Sequence, residues 1–505
     1  MFDLGRGLRA SARRRPDAIA LSDGDRQWTY AAWYADAQKL AQGLLALGIE
    51  PGRHLVTLLT NRAEAATLHL ACQLAGIVIT PLNWRASAGE LDYVLNDCDA
   101  AGLVFEPLTA GTVAESANAA REMTIGLDGV EAAFALETLS AASGASQLPA
   151  PDATRLSVML YTSGTTGRGK GVPRTHAAER AAALAHVAQN QYAPGEVTLG
   201  VMPLYHTMGV RSLLASILLN GHFVCQRRFD PDTAIALINR HRITNLYLVP
   251  TLYHDLLHAP AFAVTDTSSV TKLGFAGQSM TDGLLRDLAA AFEPELFVNH
   301  YGSSEIYTFT VESDASAKPG SAGKAGLNQE IRVIALDSTN PDEEVSAHVE
   351  GQIIAALDGD ESFAGYWRRP DADARALHDG WYFTGDIGYT DADGDLFVTG
   401  RVDDMIISGG ENILPVEIES VLSLHAGVSE VAVVGLPDDR WGQAVSAFIV
   451  RRGGVDEAEL DAWCRNSGLA GFKRPRRYTF VRQIPKSPVG KLLRRKLVDG
   501  DYELE

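Results

Sequence analysis

The sequence predicts an α/β protein with a large N-terminal domain built from several α/β subdomains and a small, mobile α+β C-terminal domain. Apolar segments of strand length alternate with helical patterns along most of the chain, which is typical of layered α/β folds. The alternation weakens toward residue 400 and begins again beyond it. The chain has 505 residues, more than one hydrophobic core usually supports. We therefore predict domains at residues 1–402 and 403–505.

The N-terminal elements follow from the apolar periodicity. Residues 29–47 repeat apolar positions at three-to-four spacing and predict an amphipathic helix that ends at Gly48. HLVTLLT at 54–60 and GIVITPL at 76–82 predict buried strands with a helix between them. LSVMLYTS at 156–163 predicts another buried strand directly before a glycine-rich segment. That segment is placed where a ligand can bind.

The later elements divide into two groups. Strand-like and helical segments alternate through residues 201–301, and shorter strands with turn signals follow at 321–400. Beyond Arg401 the sequence predicts a helix at 415–424, strands in VSEVAVVGL and AVSAFIV, and a helix at 456–466. This restart of the pattern supports the second domain.

Composition and charge narrow the function class. Apolar residues make up 46% and charged residues 21% of the chain, which is typical of a globular enzyme. The formal net charge of -19 disfavours nucleic acid as a partner, because the phosphate backbone favours a basic surface. The four cysteines are far apart and indicate a reducing compartment, and no apolar stretch reaches the roughly 20 residues of a membrane span. We expect a cytoplasmic protein with no nucleic-acid partner and no membrane span, and a homodimer stays an open alternative.

The glycine-rich segment YTSGTTGRGKG at 161–171 is the first candidate site. It places four glycines and four hydroxyl residues directly after a strand, so that backbone N–H groups and hydroxyls can bind an anion such as phosphate. The string also matches GxxxxGK between Gly164 and Lys170. Gly171 replaces the hydroxyl that a Walker loop needs for magnesium, and Pro173 obstructs its helix. We therefore interpret the segment as a phosphate loop of another kind.

Three further segments carry polar residues suited to a nucleotide. NHYGSSE at 299–305 ends in Glu305, whose carboxylate could hold magnesium. GWYFTGDIG at 380–388 carries Asp386, whose carboxylate can accept both hydroxyls of a ribose. GRVDDMIISGGENILPVEIE at 400–419 joins Arg401, an aspartate pair and two glycines to a predicted helix.

These segments, in this order and followed by PKSPVGK at 485–491, resemble the adenylate-forming superfamily of acyl-CoA synthetases, peptide-synthetase adenylation domains and luciferases. The strings MPLYHTMGV, FAGQSM, LPDDRWGQAV and GFKRPRRY are most similar to 4-chlorobenzoate and other benzoate-type CoA ligases. The resemblance covers essentially the whole chain. It implies that a carboxylate attacks the α-phosphate of ATP to form an acyl-adenylate, and that the sulfur of coenzyme A then displaces AMP.

The resemblance also implies residue roles in nucleotide binding. Tyr301 is expected at the adenine, Asp386 and Arg401 at the ribose, and Glu305 at Mg²⁺ together with Thr166. The phosphate ligands are expected to be Thr162, Ser163, Gly164, Thr165, Thr166, Gly167 and Lys170. The other ATP-binding residues are expected to be Gly277, Gln278, Ser279, His300, Gly302, Ser303 and Ser304.

For the C-terminal domain the resemblance implies motion. Lys491 is expected to be catalytic, together with Glu305 and His206, and it must swing in from the second domain about a hinge at Asp403. Coenzyme A is then expected to contact Gly409, Gly410, Trp441, Lys473, Arg474 and Arg476.

The acyl pocket is expected to be apolar. Its residues by resemblance are His206 as a gate, Tyr247, Val249, Phe275, Ala276, Gly277, Gly302, Ile306 and Tyr307. These residues carry no evident internal charge, which favours an uncharged ring over a dicarboxylate, and Arg211 is the closest cation. The leading hypothesis is an aromatic-acid:CoA ligase that uses ATP, Mg²⁺ and coenzyme A.

Three alternatives remain open. One is a ligase for cycloaliphatic or medium-chain acids, and another is a stand-alone adenylation enzyme that loads a carrier protein. A nucleotide-binding sensor without activity is the third, and it is disfavoured because Glu305, Asp386, Arg401 and Lys491 are all present.

Overall fold

The structure is a computed structural model that describes residues 3–119, 123–141, 147–162, 169–401, 404–438, 440–486 and 492–505. Within these ranges the strands form three sheets, of seven, fourteen and five strands. Helices cover the sheets, so the predicted α/β class is confirmed.

Strands and helices alternate along the chain as predicted. The first group comprises α1 (Leu4–Arg14), β1 (Ile19–Asp23), β2 (Arg26–Thr29), α2 (Tyr30–Ala46), β3 (His54–Leu58), α3 (Ala63–Ala75), β4 (Val78–Pro81), α4 (Ala88–Asp97), β5 (Ala100–Phe105), α5 (Ala110–Glu115) and β6 (Thr124–Gly126). The second group comprises β7 (Phe134–Ala135), α6 (Leu136–Ala141), β8 (Leu156–Thr162), β9 (Lys170–Thr175), α7 (His176–Gln189), β10 (Val197–Gly200), α8 (Thr207–Leu218), β11 (His222–Cys225), α9 (Pro231–His241), β12 (Asn245–Leu248), α10 (Pro250–His258), β13 (Lys272–Ala276), α11 (Asp282–Phe292) and β14 (Leu296–Tyr301).

Shorter strands follow, as their turn-rich sequence predicts. This third group comprises β15 (Thr310–Glu312), β16 (Ser321–Ala325), β17 (Ile331–Ile334), β18 (Gly351–Ala356), α12 (Pro370–Ala376), β19 (Leu377–His378), β20 (Trp381–Thr390) and β21 (Leu396–Arg401). The C-terminal group comprises β22 (Ile406–Ser408), β23 (Glu411–Ile413), α13 (Pro415–Ser423), β24 (Val428–Asp438), β25 (Gly442–Arg451), α14 (Glu457–Asn466), β26 (Arg477–Phe480) and α15 (Arg494–Val498).

The seven-stranded sheet has the order β7-β6-β5-β3-β4-β8-β9 and carries the glycine-rich segment. Strand β3 is buried on both faces, which explains its unbroken apolar sequence. Helix α2 covers the same core with Trp33, and Thr29 caps it by accepting a hydrogen bond from the backbone N–H of Ala32. The predicted helix at 29–47 therefore begins at its capping threonine.

The fourteen-stranded sheet contains β11, β10, β12, β13 and β14 as parallel neighbours, and antiparallel strands continue from β15. Neighbouring parallel strands end at the same edge of a sheet. The residues that follow β12, β13 and β14 along the chain therefore converge at one edge. The five-stranded sheet of the C-terminal part has the order β23-β22-β25-β24, with β26 beside β25, and α13 and α14 pack in its core.

Two predictions on the chain's chemistry can be examined in the fold. All four cysteines are buried and none of them forms a disulfide bond, so they act as small core residues. Among the described residues, no helix has the length and hydrophobicity that a membrane crossing requires.

Candidate active site

A cavity of about 1780 Å³ lies where the chain leaves β12, β13 and β14. Ligands bind at this edge of a parallel sheet because the loops after the strands converge there. Residues of the β8–β9 hairpin and of the C-terminal part also line the cavity. Its volume exceeds the roughly 300–1,000 Å³ of an ordinary small-molecule site, so there is room for two ligands.

The phosphate-loop hairpin forms one wall of this cavity. Thr162 at the end of β8 pairs with Lys170 at the start of β9, and both line the cavity. The Lys170 ammonium lies 4.0 Å from the ring centre of Tyr366. Burial lowers the pKa of Lys170, and the negative charge of Glu305 opposes that shift. Lys170 is thus a partly desolvated cation, which strengthens its attraction for an anion.

The middle of the predicted phosphate loop cannot be compared with the structure. Ser163, Gly164, Thr165, Thr166 and Gly167 all lie outside the described ranges. Lys170 itself begins a strand and not a helix, so the geometry of a Walker loop is excluded, as Gly171 and Pro173 predicted.

Glu305 supplies a carboxylate to the same end of the cavity. It is buried, and its Oε1 accepts a hydrogen bond of 2.6 Å from the Tyr366 hydroxyl. Ser303 accepts from the backbone N–H of Glu305 and so shapes the turn. Mg²⁺ is commonly held by one or two carboxylates together with substrate phosphates. A cavity-lining carboxylate beside Lys170 fits this requirement, and Thr166, its predicted partner, lies outside the described part of the chain.

The backbone of Glu305 is anchored by a buried arginine. Arg174 on β9 is fully buried and pairs with Glu179 at 2.8 Å. Its Nη1 also donates to the carbonyl of Glu305 at 2.9 Å and to the carbonyl of Glu361. One guanidinium therefore fixes two loops to the strand that follows the phosphate loop.

Asp386 and Arg401 form the predicted ribose site. They are paired across β20 and β21, and their side chains form an ion pair of 3.1 Å. The hydroxyl of Tyr301 donates to Asp386 Oδ2 at 2.5 Å. Burial, reinforced by the charge of Asp386, raises the pKa of Tyr301 well above its usual value, so the phenol stays neutral. All three line the cavity.

The loops after β13 and β14 form the wall next to this ribose site. Gly277 adopts a φ of +88°, which favours glycine. A Cβ on Gly302 would lie 2.1 Å from the carbonyl oxygen of Tyr307, so only glycine fits. Gln278 Oε1 is buried and has no hydrogen-bond partner among the described residues. The other predicted nucleotide residues on this wall are Ser279, His300, Ser303 and Ser304.

The predicted acyl pocket occupies the other end of the cavity. Its wall contains Val249, Phe275, Ala276 and Tyr307, with Gly277 and Gly302 beside the nucleotide end. His206 caps α8, since its Nδ1 accepts from the backbone N–H of Met208 at 3.3 Å, and it lines the cavity. Two predicted members lie behind this wall. Tyr247 is buried against Arg211, and Ile306 packs in a core with Val172 and Phe309.

The expectation of a pocket without internal charge is wrong. Arg211 lines the cavity and is 2% exposed. It lies on α8 between Tyr247 and Tyr307, with its guanidinium 5.3 and 5.8 Å from their ring centres. The sequence shows an arginine after LYHTMGV but does not show that the turn of α8 points it inward.

The predicted coenzyme A residues form a separate surface. Gly409 and Gly410 make the turn between β22 and β23, and the backbone N–H of Gly409 donates to the Trp441 carbonyl at 2.8 Å. Arg476 stacks on Trp441 at 4.5 Å. Lys473 and Arg474 instead pair with carboxylates, at 2.6 and 2.8 Å. None of the six occurs among the described residues that line the cavity.

Lys491 and Asp403, the predicted catalytic lysine and hinge, fall outside the described ranges. Their neighbours in sequence are informative. Lys486 and Leu492 pair with each other and line the cavity, as does Arg494. Asp404, next to the hinge position, also lines the cavity. The chain on both sides of residues 487–491 therefore faces the nucleotide end.

Family models match two parts of the chain. Residues 8–367 match the model described as AMP-binding enzyme, and residues 417–491 match its C-terminal domain. The chain belongs to the AMP-binding enzyme family.

Several curated relatives of this AMP-binding enzyme are CoA ligases, and one is a fatty acid–[acyl-carrier-protein] ligase of Streptomyces coeruleorubidus, 32% identical over 503 residues. A feruloyl-CoA synthase of an Amycolatopsis species is 34% identical over 491 residues, covering 96% of each chain. A 4-chlorobenzoate–CoA ligase of an Arthrobacter species is 32% identical over 500 residues, covering 96% of this chain and 93% of the relative. A long-chain-fatty-acid–CoA ligase of Mycobacterium tuberculosis is 32% identical over 492 residues, covering 96% and 95%. The protein is therefore an AMP-forming acid–thiol ligase, and the resemblance seen in the sequence is confirmed.

Solved structures confirm the fold of this AMP-binding enzyme. The ATP-bound structure of MatB from Rhodopseudomonas palustris superposes with a TM-score of 0.88 at 28% identity, covering 99% of both chains. An α/β core with a C-terminal AMP-binding domain is thus common to both proteins.

Sequence reasoning missed one residue of the AMP-binding enzyme's site entirely and underrated another. Tyr366 contacts both Glu305 and Lys170. It lies in the string AGYWRRP, which belongs to none of the motifs described above. Arg211 was visible only as a nearby cation. Both depend on contacts between distant segments, which periodicity does not encode.

The buried carboxyl group of Glu361 should make the stability of this AMP-binding enzyme depend on pH. It is 4% exposed, and burial raises its pKa from 4.5 to about 7. The unfolded chain ionises first, so native stability falls as pH rises from about 4.5 to 7 and then levels off. The Glu361→Gln variant has no group that ionises at this position, so it should not show this fall in stability. Relative to wild type, the variant should therefore gain roughly 2–3 kcal/mol in free energy of unfolding between pH 5 and pH 8.

Urea unfolding at the two pH values measures this change. The comparison uses the difference between variant and wild type at each pH, because the substitution also alters contacts in a way that does not depend on pH. An equal difference at pH 5 and pH 8 would contradict the prediction.

Proposed function

We propose that the protein activates an aromatic carboxylic acid with ATP and transfers the acyl group to coenzyme A. The observation that carries this proposal is the division of one cavity into two ends. Lys170, Glu305, Asp386 and Arg401 provide a polar end for a nucleotide, and an aromatic end for the acid adjoins it. The acid and the α-phosphate can thus meet in one enclosed space.

In the first half-reaction a carboxylate oxygen of the acid attacks the α-phosphorus of ATP, and pyrophosphate leaves. Both reactants are anions, so positive charge must reach the reacting phosphate. Lys170 neutralises phosphate oxygens from the hairpin, and Lys491 approaches the α-phosphate from the C-terminal part. Glu305 holds Mg²⁺, which when bound withdraws negative charge from the phosphate oxygens.

The nucleotide is held by groups at the polar end. Asp386 accepts the ribose hydroxyls, and its ion pair with Arg401 orients the carboxylate. Tyr301 lies against the adenine. Gln278 Oε1, which is buried without a partner among the described residues, accepts a hydrogen from the adenine amino group.

In the second half-reaction the sulfur of coenzyme A attacks the acyl carbonyl carbon, and AMP leaves. Rotation about Asp403 removes Lys491 and brings the turn at Gly409 to the cavity. Trp441 then flanks the pantetheine, and Arg476 offers its charge to the phosphates. Lys473 and Arg474 are already paired with carboxylates, so Arg476 is the stronger candidate.

The aromatic end favours a planar acid. Phe275 and Tyr307 line it together with His206, and such rings stack well on another ring. The feruloyl and 4-chlorobenzoate ligases among the relatives act, by their names, on aromatic acids. A fatty acid is the second candidate, because the mycobacterial relative is similar to the same extent.

The test is pyrophosphate release with a panel of acids in the presence of ATP and Mg²⁺, followed by detection of the CoA thioester. The panel contains benzoates, cinnamates, cyclohexane carboxylates and fatty acids of several lengths. We expect kcat/KM to be highest for benzoates or cinnamates. A preference for fatty acids would replace the aromatic proposal, and thioester formation only on a carrier protein would replace coenzyme A as acceptor.

Trp441→Ala should impair only the second half-reaction. Loss of the indole removes contact area and the support of Arg476, so KM for coenzyme A should rise about tenfold, which corresponds to roughly 1.4 kcal/mol. The rate of ATP–pyrophosphate exchange should be unchanged. Trp463→Ala is the matched control, because Trp463 lies on α14 with its indole N–H bonded to Val421. Equal effects on exchange and thioester formation would contradict the assignment.

A further inference from the structure

Arg211 is a buried cation at the acyl end of the cavity. Its Nη1 donates to the carbonyl of Tyr307 at 3.2 Å and to Thr308 Oγ1 at 2.6 Å, and its Nη2 donates to the Tyr247 hydroxyl. Nε is buried and has no hydrogen-bond partner among the residues that the structure describes. The guanidinium also forms no ion pair with any described carboxylate. A buried charge without a counterion is costly, so a partner from outside the chain is expected.

The neighbouring acidic groups do not supply that partner. Glu179 is already paired with Arg174 at 2.8 Å, with both side chains fully buried. Burial raises the pKa of Glu361 to about 7, although the charge of Arg211 lowers it more than any other neighbouring charge does. Near neutral pH Glu361 therefore carries only part of a negative charge. The end of the pocket keeps an excess of positive charge and of donors.

Two further donors lie beside Arg211. Tyr247 accepts from Arg211, which leaves its own hydroxyl hydrogen to donate. His300 lines the cavity, and its Nε2 lies 3.0 Å from the Asn190 amide nitrogen. That nitrogen also donates to the carbonyl of His186, so it is a donor and His300 Nε2 accepts.

The proton of His300 must then be on Nδ1. Burial, with the charge of Arg211, lowers the pKa of His300 well below its usual value, so the ring is neutral and carries one proton. Nδ1 is buried without a hydrogen-bond partner among the described residues. The rings of Tyr247 and His300 are 5.4 Å apart, and the Arg211 guanidinium is 5.3 Å from the Tyr247 ring. Arg211 and His300, which line the cavity, thus each keep one buried donor without a partner among the described residues, and both carboxylate oxygens of Glu361 are likewise unpartnered there.

We infer that the acid carries a second oxygen-bearing group, remote from the reacting carboxylate, that Arg211 and His300 bind this oxygen, and that Tyr247 positions the Arg211 guanidinium from behind the wall. The inference rests on the proposed function and specifies its substrate class. A ring hydroxyl and a second carboxylate share the required chemistry, an oxygen that accepts hydrogen bonds. A site built to bind such an oxygen rejects analogues that lack it, because its buried donors are then left unpaired.

The experiment compares acids in size-matched pairs with the full-length enzyme. 4-Hydroxybenzoate is compared with 4-methylbenzoate, and terephthalate with 4-isopropylbenzoate, so that each pair differs in the distal oxygen. The corresponding cinnamates extend the comparison to a longer acid. Pyrophosphate release gives kcat/KM for each. We expect kcat/KM of the oxygen-bearing acid to be at least tenfold higher than that of its apolar partner in one of the pairs. If this is the 4-hydroxybenzoate pair, the site binds a hydroxyl; if it is the terephthalate pair, the site binds a carboxylate.

Variants of Tyr247, Arg211 and Glu361 then test whether these residues cause the preference for the oxygen-bearing acid. Tyr247→Phe should reduce the ratio within the preferred pair several-fold with little change for the apolar acid. Tyr253→Phe is its matched control, since Tyr253 is equally buried but donates to the carbonyls of Leu246 and Gly274. The double variant Arg211→Met, Glu361→Gln removes both charges together and preserves folding better than Arg211→Met alone. It should abolish the preference.

The outcomes separate the two proposals. Pyrophosphate release with aromatic acids but equal or higher kcat/KM for the apolar members would overturn the inference and leave the proposed function intact. A preference that persists in Tyr247→Phe and in the double variant would also overturn it. Absence of release with every acid of the panel would reject the proposed function, and the inference with it.

Discussion

Lys491→Ala should lower the rate of acyl-adenylate formation by about 10²–10³-fold, the loss expected when one group that stabilises transition-state charge is removed. In the first step charge accumulates on the α-phosphate, where a lysine from the C-terminal part can neutralise it. In the second step AMP is a leaving group and that lysine has moved away. Transfer from preformed acyl-adenylate to coenzyme A should therefore keep most of its rate.

The two half-reactions are measured separately. ATP–pyrophosphate exchange reports the first, and thioester formation from chemically prepared acyl-adenylate reports the second. Lys496→Ala is the control, because Lys496 is an exposed lysine on α15 paired with Asp501 at 2.8 Å. Equal loss of both half-reactions in Lys491→Ala would mean that the lysine serves folding or domain placement instead.

Glu305→Gln should have the second large effect. The amide keeps the shape and can still accept from the Tyr366 hydroxyl, but it removes the negative charge that we propose for Mg²⁺ binding. We expect adenylation to fall about 100-fold at a fixed Mg²⁺ concentration and to recover in part as Mg²⁺ is raised. A titration of the exchange rate against Mg²⁺ measures both effects.

Glu330→Gln provides the comparison for this substitution, since Glu330 is exposed and bonded to Arg332 at 3.1 Å, away from the cavity. It should leave the titration of the wild type unchanged. If Glu305→Gln lowers the rate with an unchanged Mg²⁺ dependence, Glu305 acts through the Tyr366 contact and not through the metal.

Sequence reasoning reached far into the fold because local patterns determine much of it. Helix α2 is marked by its three-to-four apolar repeat and its Thr29 cap, and β3 by an apolar run that needs two buried faces. Gly171 and Pro173 predict that no Walker helix follows the loop, and the chain continues there as β9, a strand that the sequence did not predict. These features each depend on residues close together in the chain.

The chemistry of the acyl pocket depends on distant residues and was therefore misjudged. Arg211 meets Tyr247 and Thr308, which are 36 and 97 positions away along the chain. Each of these residues alone is unremarkable in sequence. Only the packing of α8 against β12 and the loop after β14 turns them into a polar end of an otherwise aromatic pocket.

Arg174 has a consequence for how such an enzyme can diversify. It ties the backbone of Glu305 and of Glu361 to β9 by hydrogen bonds to their carbonyls, which involve no side chain of α8 or β12. Substitutions on α8 or β12 can then alter which acid is accepted while Glu305, the carboxylate proposed for magnesium, keeps its position. Arg174 thus fixes Glu305 independently of the residues that line the acyl pocket. Those lining residues can change under selection for new substrates without displacing Glu305.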